Sequence, residues 1–446
     1  MVRLIRTALI ALVVGAPGPV SAQATAPGAP EKAGQAFVAL LARRNFAGAE
    51  AMLDSTMRRV LPAARLEEVW GSLEGQAGAF RAERGVSVRR AGAFDVVAVT
   101  GEFARATLEL QVALNRAGEV SGFHVVPPTQ AWTPPPYVTP GAFRSEDVTL
   151  GSGSLALEGT LTMPVGAGPF PAVVLVHGSG PNDRDESVGG VKVFRDLAEG
   201  LASRGIAVLR YVKRTRAHPG AFGGRFTVDD ETVDDALAAA ALLRARSGID
   251  PARVFVLGHS LGGMMAPRIG SRDSALAGLV ILAGTTRPLE EVMLEQTVWL
   301  AQHAGADSAG VAAQLAPIRA GAERVRTLTP ADSLSPERVI GAPVSYWLDL
   351  RSYRPAEVAR GLRMPILILQ GERDYQVTMT DLAGWRAALD GRPGVTIRTY
   401  PSLNHLFVAG EGPSVPAEYA APNHVAAQVV ADIADWVRGV RRAPHP

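Results

Sequence analysis

The spacing of apolar positions changes twice along the chain and divides it into three parts. In the first part, Lys32 to Arg44 places Phe37, Leu40 and Leu41 at helical spacing. Ala49 to Leu53 and Ala64 to Phe80 continue that period, so three helices are expected. The period then drops to two. Asp95 to Phe103 reads as a strand, and Ala106 to Leu114 as another in which Leu108, Leu110, Val112 and Leu114 share a face. That parity predicts that Glu109 and Gln111 point to solvent. A turn at Asn115 to Gly118 leads to a last strand, Val120 to Val126. Helices followed by an antiparallel meander imply a small α+β domain over residues 31–126.

The second part, residues 127–144, contains Pro127, Pro128, Pro134, Pro135, Pro136 and Pro140. Proline at this density continues neither strand nor helix and predicts a stiff extended linker. In the third part, from Val148 on, apolar strands alternate with helical patterns. Strands are expected at Leu155 to Met163, Pro171 to Val176, Ile206 to Val212, Val254 to Gly258, Leu279 to Ala283, Ile366 to Gln370 and Val395 to Tyr400. Helices are expected at Val193 to Ala202, Val228 to Arg246, Leu261 to Ile269 and His424 to Val440. Fully apolar strands separated by helices predict a parallel sheet buried on both faces. Between Gly284 and about Gly361 the alternation stops and the pattern is helical.

Composition narrows the function. The 446 residues suggest two domains, and 47% apolar residues can fill their cores. Lys+Arg 45 against Asp+Glu 43 leaves +2, and Arg3 and Arg6 lie in a segment expected to be removed, which argues against a basic nucleic-acid face. Arg3, Arg6, the apolar run Thr7 to Ala16 and the small residues at Ala22 and Ala24 predict a signal peptide over residues 1–24 and a secreted or periplasmic mature chain. No later apolar run approaches the roughly 20 residues of a spanning helix. With no Cys there is neither a thiolate nucleophile nor a cysteine metal site. HExxH and zinc-like spacings are missing too, so neither metal nor cofactor is expected.

Candidate chemistry centres on Gly258-His259-Ser260-Leu261-Gly262-Gly263, between an apolar strand and a helix. Gly-x-Ser-x-Gly in that setting is a nucleophile elbow, which makes Ser260 the candidate nucleophile. A Ser hydroxyl needs a base, and in this arrangement acid and then His follow the Ser. Of His303, His405, His424 and His445, only His405 lies just after a strand that follows a candidate acid. That acid is Asp374, which ends the turn Gly371-Glu372-Arg373-Asp374; Glu372 is the rival. His177-Gly178-Ser179-Gly180 follows another strand and is expected to supply the oxyanion amide from Ser179, with Gly180 next and Leu261 as the second donor. Pro181 and the lack of GKS/T exclude a phosphate loop. The cluster Asn182-Asp183-Arg184-Asp185-Glu186 reads as a brace for that loop, with Arg210, Lys213 or Arg214 as ion-pair partners of Asp183 or Asp185; a solvated loop is the plainer alternative.

Residues 145–441 resemble the α/β-hydrolase superfamily, nearest in pattern to bacterial serine esterases and to the dienelactone-hydrolase-like and acylaminoacyl-peptidase-like branches. The string His177 to Glu186 resembles that of secreted esterases carrying an N-terminal domain of unknown function. The N-terminal block itself resembles the ketosteroid-isomerase-like cone. The resemblance implies an α/β-hydrolase sheet, a helical cap over residues 285–361, and acyl transfer to water through an acyl-enzyme, with a small-molecule acyl ester as substrate. Dienelactone hydrolases proper use Cys, which this chain lacks, and it has no β-propeller repeat like that of the peptidases. An amidase, peptidase, lactonase or thioesterase could use the same triad, and a non-catalytic binding protein could use the same scaffold. His124 is the only histidine of the N-terminal block, which is expected to be non-catalytic.

Overall fold

A computed structural model describes residues 29–91, 94–126, 132–303 and 308–440. The expected signal peptide and His445 lie outside the described residues. The chain forms two compact units that divide after residue 131.

In the first unit, helices α1 (Ala29–Ala42), α2 (Phe46–Ala51), α3 (Ser55–Val60) and α4 (Ala63–Ala77) precede strands β1 (Phe80–Ala91), β2 (Phe94–Phe103), β3 (Thr107–Leu114) and β4 (Val120–Val126). The strands form an antiparallel meander in that order. Phe37, Leu41 and Trp70 from the helices pack on Val97, Val99, Leu110 and Val112 from the sheet. Asp54 starts α3 by accepting from the Thr56 and Met57 amides (2.9 and 2.8 Å) and ties it to β4 through Ser121 Oγ (2.6 Å).

Two elements here escape the periodicity. One is the short α3. The other is β1, which was expected to lie partly in a helix ending at Phe80; it is an edge strand whose side chains are mostly exposed, so no alternation marks it. Glu109 corrects the parity reading. It is only 8% exposed, and Gln111 Nε2 donates to its Oε1 at 2.6 Å. Val96 and Ala98 are buried on that same second face, so the strand is covered on both sides.

The main sheet of the second unit has eight strands: β5 (Phe143–Leu150), β6 (Leu157–Pro164), β7 (Phe170–Val176), β8 (Ala207–Tyr211), β9 (Ile249–His259), β10 (Gly278–Leu282), β11 (Ile366–Gly371) and β12 (Val395–Tyr400). Their order is β12-β11-β10-β9-β7-β8-β6-β5, parallel except that β6 runs against both neighbours. Alternate residues of each strand enter different cores. Val174, Val256, Ile281 and Ile368 meet helices α6 (Asp234–Arg244) and α7 (Leu261–Arg272). Val173, Leu257, Val280 and Leu369 meet α5 (Val193–Ala202) and the closing helix, Ala427–Gly439. Burial on both faces explains why these strands read as continuous apolar runs.

The expected linker over 127–144 is shorter in the structure. Residues 127–131 lie outside the described residues, and β5 already begins at Phe143. Trp132 Nε1 donates to the buried Asp196 at 2.8 Å, and Arg195 lies 3.9 Å over its ring. The proline-rich stretch from Trp132 on is therefore part of the second unit's surface. The inserted segment contains α8 (Leu289–His303), α9 (Ser308–Thr327), α10 (Val344–Arg351) and α11 (Pro355–Gly361). It divides in two. α8 reaches the loops after β11 and β12, through Gln296 to Gln376 O (2.9 Å) and Trp299 to Ser414 O (3.0 Å). Trp347 of α10 joins the sheet core, and Tyr353 just after it bonds Met264 O of α7 (2.8 Å). Within the expected cap span of 285–361, α8 therefore contacts the loops after β11 and β12, while Trp347 and Tyr353 pack with the sheet core.

Candidate active site

Ser179, Ser260, Asp374 and His405 each follow the C-terminal end of a parallel strand, so the sheet order gathers them at one edge. Ser260 sits between β9 and α7 with φ +54° and ψ −115°, a strained conformation for a residue with a side chain. Its amide is held by Leu282 O at 2.9 Å. The flanking glycines are needed for space: a Cβ on Gly258 would overlap the Gly262 carbonyl, and one on Gly262 would overlap the Val176 carbonyl. Leu261 opens α7, where the unpaired amides and the helix dipole favour negative charge.

His405 and Asp374 meet. Nδ1 of His405 lies 2.7 Å from Asp374 Oδ2, with both side chains buried. The other carboxylate oxygen accepts from the amides of Gln376 (2.7 Å) and Val377 (2.9 Å), and Gln370 Nε2 approaches Oδ2 at 3.2 Å. Asn404 fixes the histidine turn by accepting from Leu406 and Val408 amides, both at 3.1 Å. The rival acid Glu372 is exposed. The described alternatives to His405 have other partners: His303 stacks on Trp299, and His424 bonds Asp196. His259, next to Ser260, donates from Nε2 to His405 O (2.9 Å), and the two rings lie 4.7 Å apart.

The loop after β7 lies against the nucleophile. A Cβ on Gly178 would be 3.1 Å from Ser260 Cβ and 3.6 Å from its Oγ. Among the described residues, no backbone bond is made by the Ser179 or Leu261 amide. The Gly178 amide is taken: it donates to Glu186 Oε1 at 2.6 Å. Glu186 is 2% exposed and its other oxygen lies 3.0 Å from His259 Nδ1. Burial alone would push the Glu186 carboxyl up, but the adjacent His259 holds it below its ordinary value. Burial likewise opposes charge on His259, and Glu186 overrides it and raises the imidazole. His177, also buried, is lowered to about 4 chiefly by desolvation, and its Nε2 meets Asp183 O at 3.0 Å.

The charge cluster therefore acts as a brace, with a different pairing in part. Arg210 pairs with Asp185 as expected. Arg214 goes instead to Asp235, and Lys213 to Glu231 (3.1 Å) and Gly178 O (2.8 Å). Arg184 reaches out to Asp147 and Glu158 at the antiparallel edge, each at 3.0 Å. Asn182 Nδ2 donates to Gly178 O and Ser179 O, each at 3.1 Å. The sequence singles out neither His259 nor Glu231 for a role. The only signal for His259 is its place beside Ser260. Glu231 has none, because it reaches Lys213 through the packing of a helix start against a strand end.

A cleft of about 590 Å³ opens beside the acid loop, lined by Trp299, Tyr375, Met379, Glu295 and Glu372. Among the described residues no helix is long and apolar enough to cross a membrane.

An eight-stranded sheet in this order, with a serine elbow after β9 and a buried His–Asp pair after β12 and β11, is the architecture of an α/β-hydrolase. Residues 168–411 match the family described as serine aminopeptidase, S33, and the chain belongs to that family. Residues 35–123 match a domain described as a protein of unknown function, DUF3887. A curated relative, Esterase EstD of Thermotoga maritima, is 40% identical over 406 residues, covering 90% of this chain and 93% of its own. Solved structures with a distant likeness include a putative dienelactone hydrolase from Klebsiella pneumoniae (18% identity, 67% of this chain and 100% of that one, TM-score 0.40). Another is an esterase of Pyrobaculum calidifontis (17% identity, 67% and 86%, TM-score 0.42).

Proposed function

We propose that the protein cleaves small-molecule carboxylic esters through an acyl-enzyme, with Ser260 as nucleophile, His405 as base and Asp374 as the orienting acid. The observation that carries this reading is the buried 2.7 Å contact between His405 Nδ1 and Asp374, on loops that share the sheet edge with the strained Ser260 turn. In this scheme Ser260 Oγ attacks the ester carbonyl while His405 Nε2 takes its proton. Asp374 keeps the imidazole oriented and stabilises the imidazolium. The tetrahedral oxyanion is held by the amides of Ser179 and Leu261, with Gly180 adjacent. His405 then returns the proton to the departing alcohol, and water repeats the sequence to release the acid.

The 40% identity to an esterase over most of both chains supports an ester as the substrate. The family description names an aminopeptidase, so amide cleavage by the same residues is the second reading. A screen of p-nitrophenyl esters against p-nitroanilides separates the two, and labelling by a fluorophosphonate that is lost in Ser260→Ala tests the nucleophile. The leader over residues 1–24 is proposed to direct export. Mass spectrometry of the exported fraction should find cleavage after Ala22 or Ala24, and an intact Met1 would contradict it.

A further inference from the structure

Lys213 is a lysine with its charge in the interior. Its side chain is 2% exposed. It follows β8, the strand beside β7, and its ammonium points at the loop after β7. Nζ donates to Gly178 O at 2.8 Å and pairs with Glu231 at 3.1 Å. Glu231 is itself buried, within a π-helical turn, Asp229–Val233, at the start of α6. Such turns shift one side chain out of the ordinary helical register. Next to it Tyr346 is buried, and burial together with the Glu231 carboxylate drives the phenol well above its usual range.

The acceptor of this charge matters. Gly178 O and the Ser179 N–H are the two ends of one planar peptide unit. A cation on the carbonyl oxygen draws electron density through the amide, so the N–H at the far end becomes more positive and a stronger donor. The effect is larger in a low-dielectric interior than in water. Asn182 Nδ2 also donates to Gly178 O (3.1 Å) without charge, so orientation of the peptide does not itself require a lysine. The preceding peptide is fixed separately through the Gly178 amide and Glu186. Two buried ions in place of two apolar side chains seldom add stability.

We propose that Lys213 is a positioning residue for acyl transfer: from 2.8 Å behind the Gly178–Ser179 peptide it polarises the Ser179 N–H towards the oxyanion, and Glu231 holds it there while neutralising its charge. The proposal rests on the reading of Ser179 as an oxyanion donor. Lys213 touches no substrate atom and moves no proton. Its influence grows as negative charge develops on the carbonyl oxygen, so it acts on the transition state more than on the bound ester.

The test uses the full-length protein with Lys213→Met, and with Lys213→Met/Glu231→Gln, which removes both charges and leaves no buried ion unpaired. For the folded double variant, kcat for p-nitrophenyl butyrate should fall about 10- to 100-fold, less than or equal to the loss of a whole oxyanion donor. KM should stay within about threefold, while inhibition by a trifluoromethyl ketone, which forms an anionic adduct on the serine, weakens by the same factor as kcat. Lys213→Arg, which keeps a cation at Gly178 O, should recover most of kcat. A double variant that melts like the wild type and keeps kcat and ketone affinity within about twofold overturns the proposal. So does an Arg variant as slow as the Met variant. Ser260→Ala run alongside separates the two levels: activity that survives it removes the serine mechanism itself, whereas an inactive Ser260→Ala beside a fully active double variant removes only the role of Lys213.

Discussion

Asp374→Asn keeps the shape of the acid loop and reverses the hydrogen-bond sense at one atom. Four donors converge on the carboxylate: the Gln376 and Val377 amides on Oδ1, and Gln370 Nε2 and His405 Nδ1 on Oδ2. An asparagine must give its oxygen to the two amides, so its NH₂ faces two donors. Gln370 also bonds Val377 O (2.8 Å) and Gly371 O (3.1 Å), so it can yield the contact cheaply. His405 can relieve the clash only by baring Nδ1, which puts its proton on Nε2, the nitrogen that must accept from Ser260. In the serine-protease template the same exchange costs about 10⁴ in kcat, or about 5.4 kcal/mol of barrier. The contact here is 2.7 Å long and buried, so a loss of about 10³ to 10⁴ is expected, with about 1–3 kcal/mol of stability. The assay is the steady-state rate with p-nitrophenyl butyrate on protein whose thermal melt confirms folding. A kcat within tenfold of wild type would refute the reasoning, as would an equal loss from Glu372→Gln.

Ser260→Ala should lower kcat by several orders of magnitude and leave the melting temperature almost unchanged, since only the covalent step is removed. Gly262→Ala should destabilise by about 3 kcal/mol or more, read by urea unfolding, because its methyl meets the Val176 carbonyl and neither backbone has room to move. Glu186→Gln tests the buried pair by pH. The lowered Glu186 contributes stability above its unfolded value of 4.5, lost as pH falls through the folded value; the raised His259 contributes below 6.5, lost as pH rises through its folded value. The gap in melting temperature between wild type and Glu186→Gln should therefore be widest between these two values and narrow on both sides; a gap that keeps widening above pH 8 contradicts the pairing. A fragment beginning at Trp132 should keep ester hydrolysis, because the first unit contributes none of the residues assigned to the chemistry; loss of activity in a folded fragment would show that the first unit completes the site.

Seven strands of the main sheet and the serine elbow were legible for the same reason, each being marked locally, whereas β5 was not expected. Apolar runs signal a doubly covered sheet, and the elbow is written in five consecutive residues. His405 and Asp374 then follow from chain order. What stayed hidden depends on contacts between distant segments. Lys213 stood out as a cation at a strand end, but its partner was legible only once β8 is known to lie beside β7. Glu231 lies in a helical pattern that gives no hint of a π turn. Glu109 shows the limit of parity, which separates two faces of a strand without telling whether the second is covered. β1 shows the converse: exposed on most positions, it carries no alternation and is a strand only through its ladder with β2.

That exposed ladder partner has a bearing on how the chain behaves at high concentration. Among the described residues β1 pairs on one side only, and its other edge is the kind of backbone template onto which a second extended chain adds. Its sequence, FRAERGVSVRRA, sets Arg81, Arg84, Arg89 and Arg90 along that edge. Arg84 and Arg90 pair with Glu102 and Asp95 of β2, while Arg81 and Arg89 are exposed; a second copy adding in parallel, in-register fashion would set guanidinium groups opposite one another, and like charges facing across a ladder disfavour the pairing. The residues that made the strand hard to recognise are thus the ones that keep it from recruiting its own copy, and replacing them with threonine or valine would make the strand easier to read and the protein easier to aggregate.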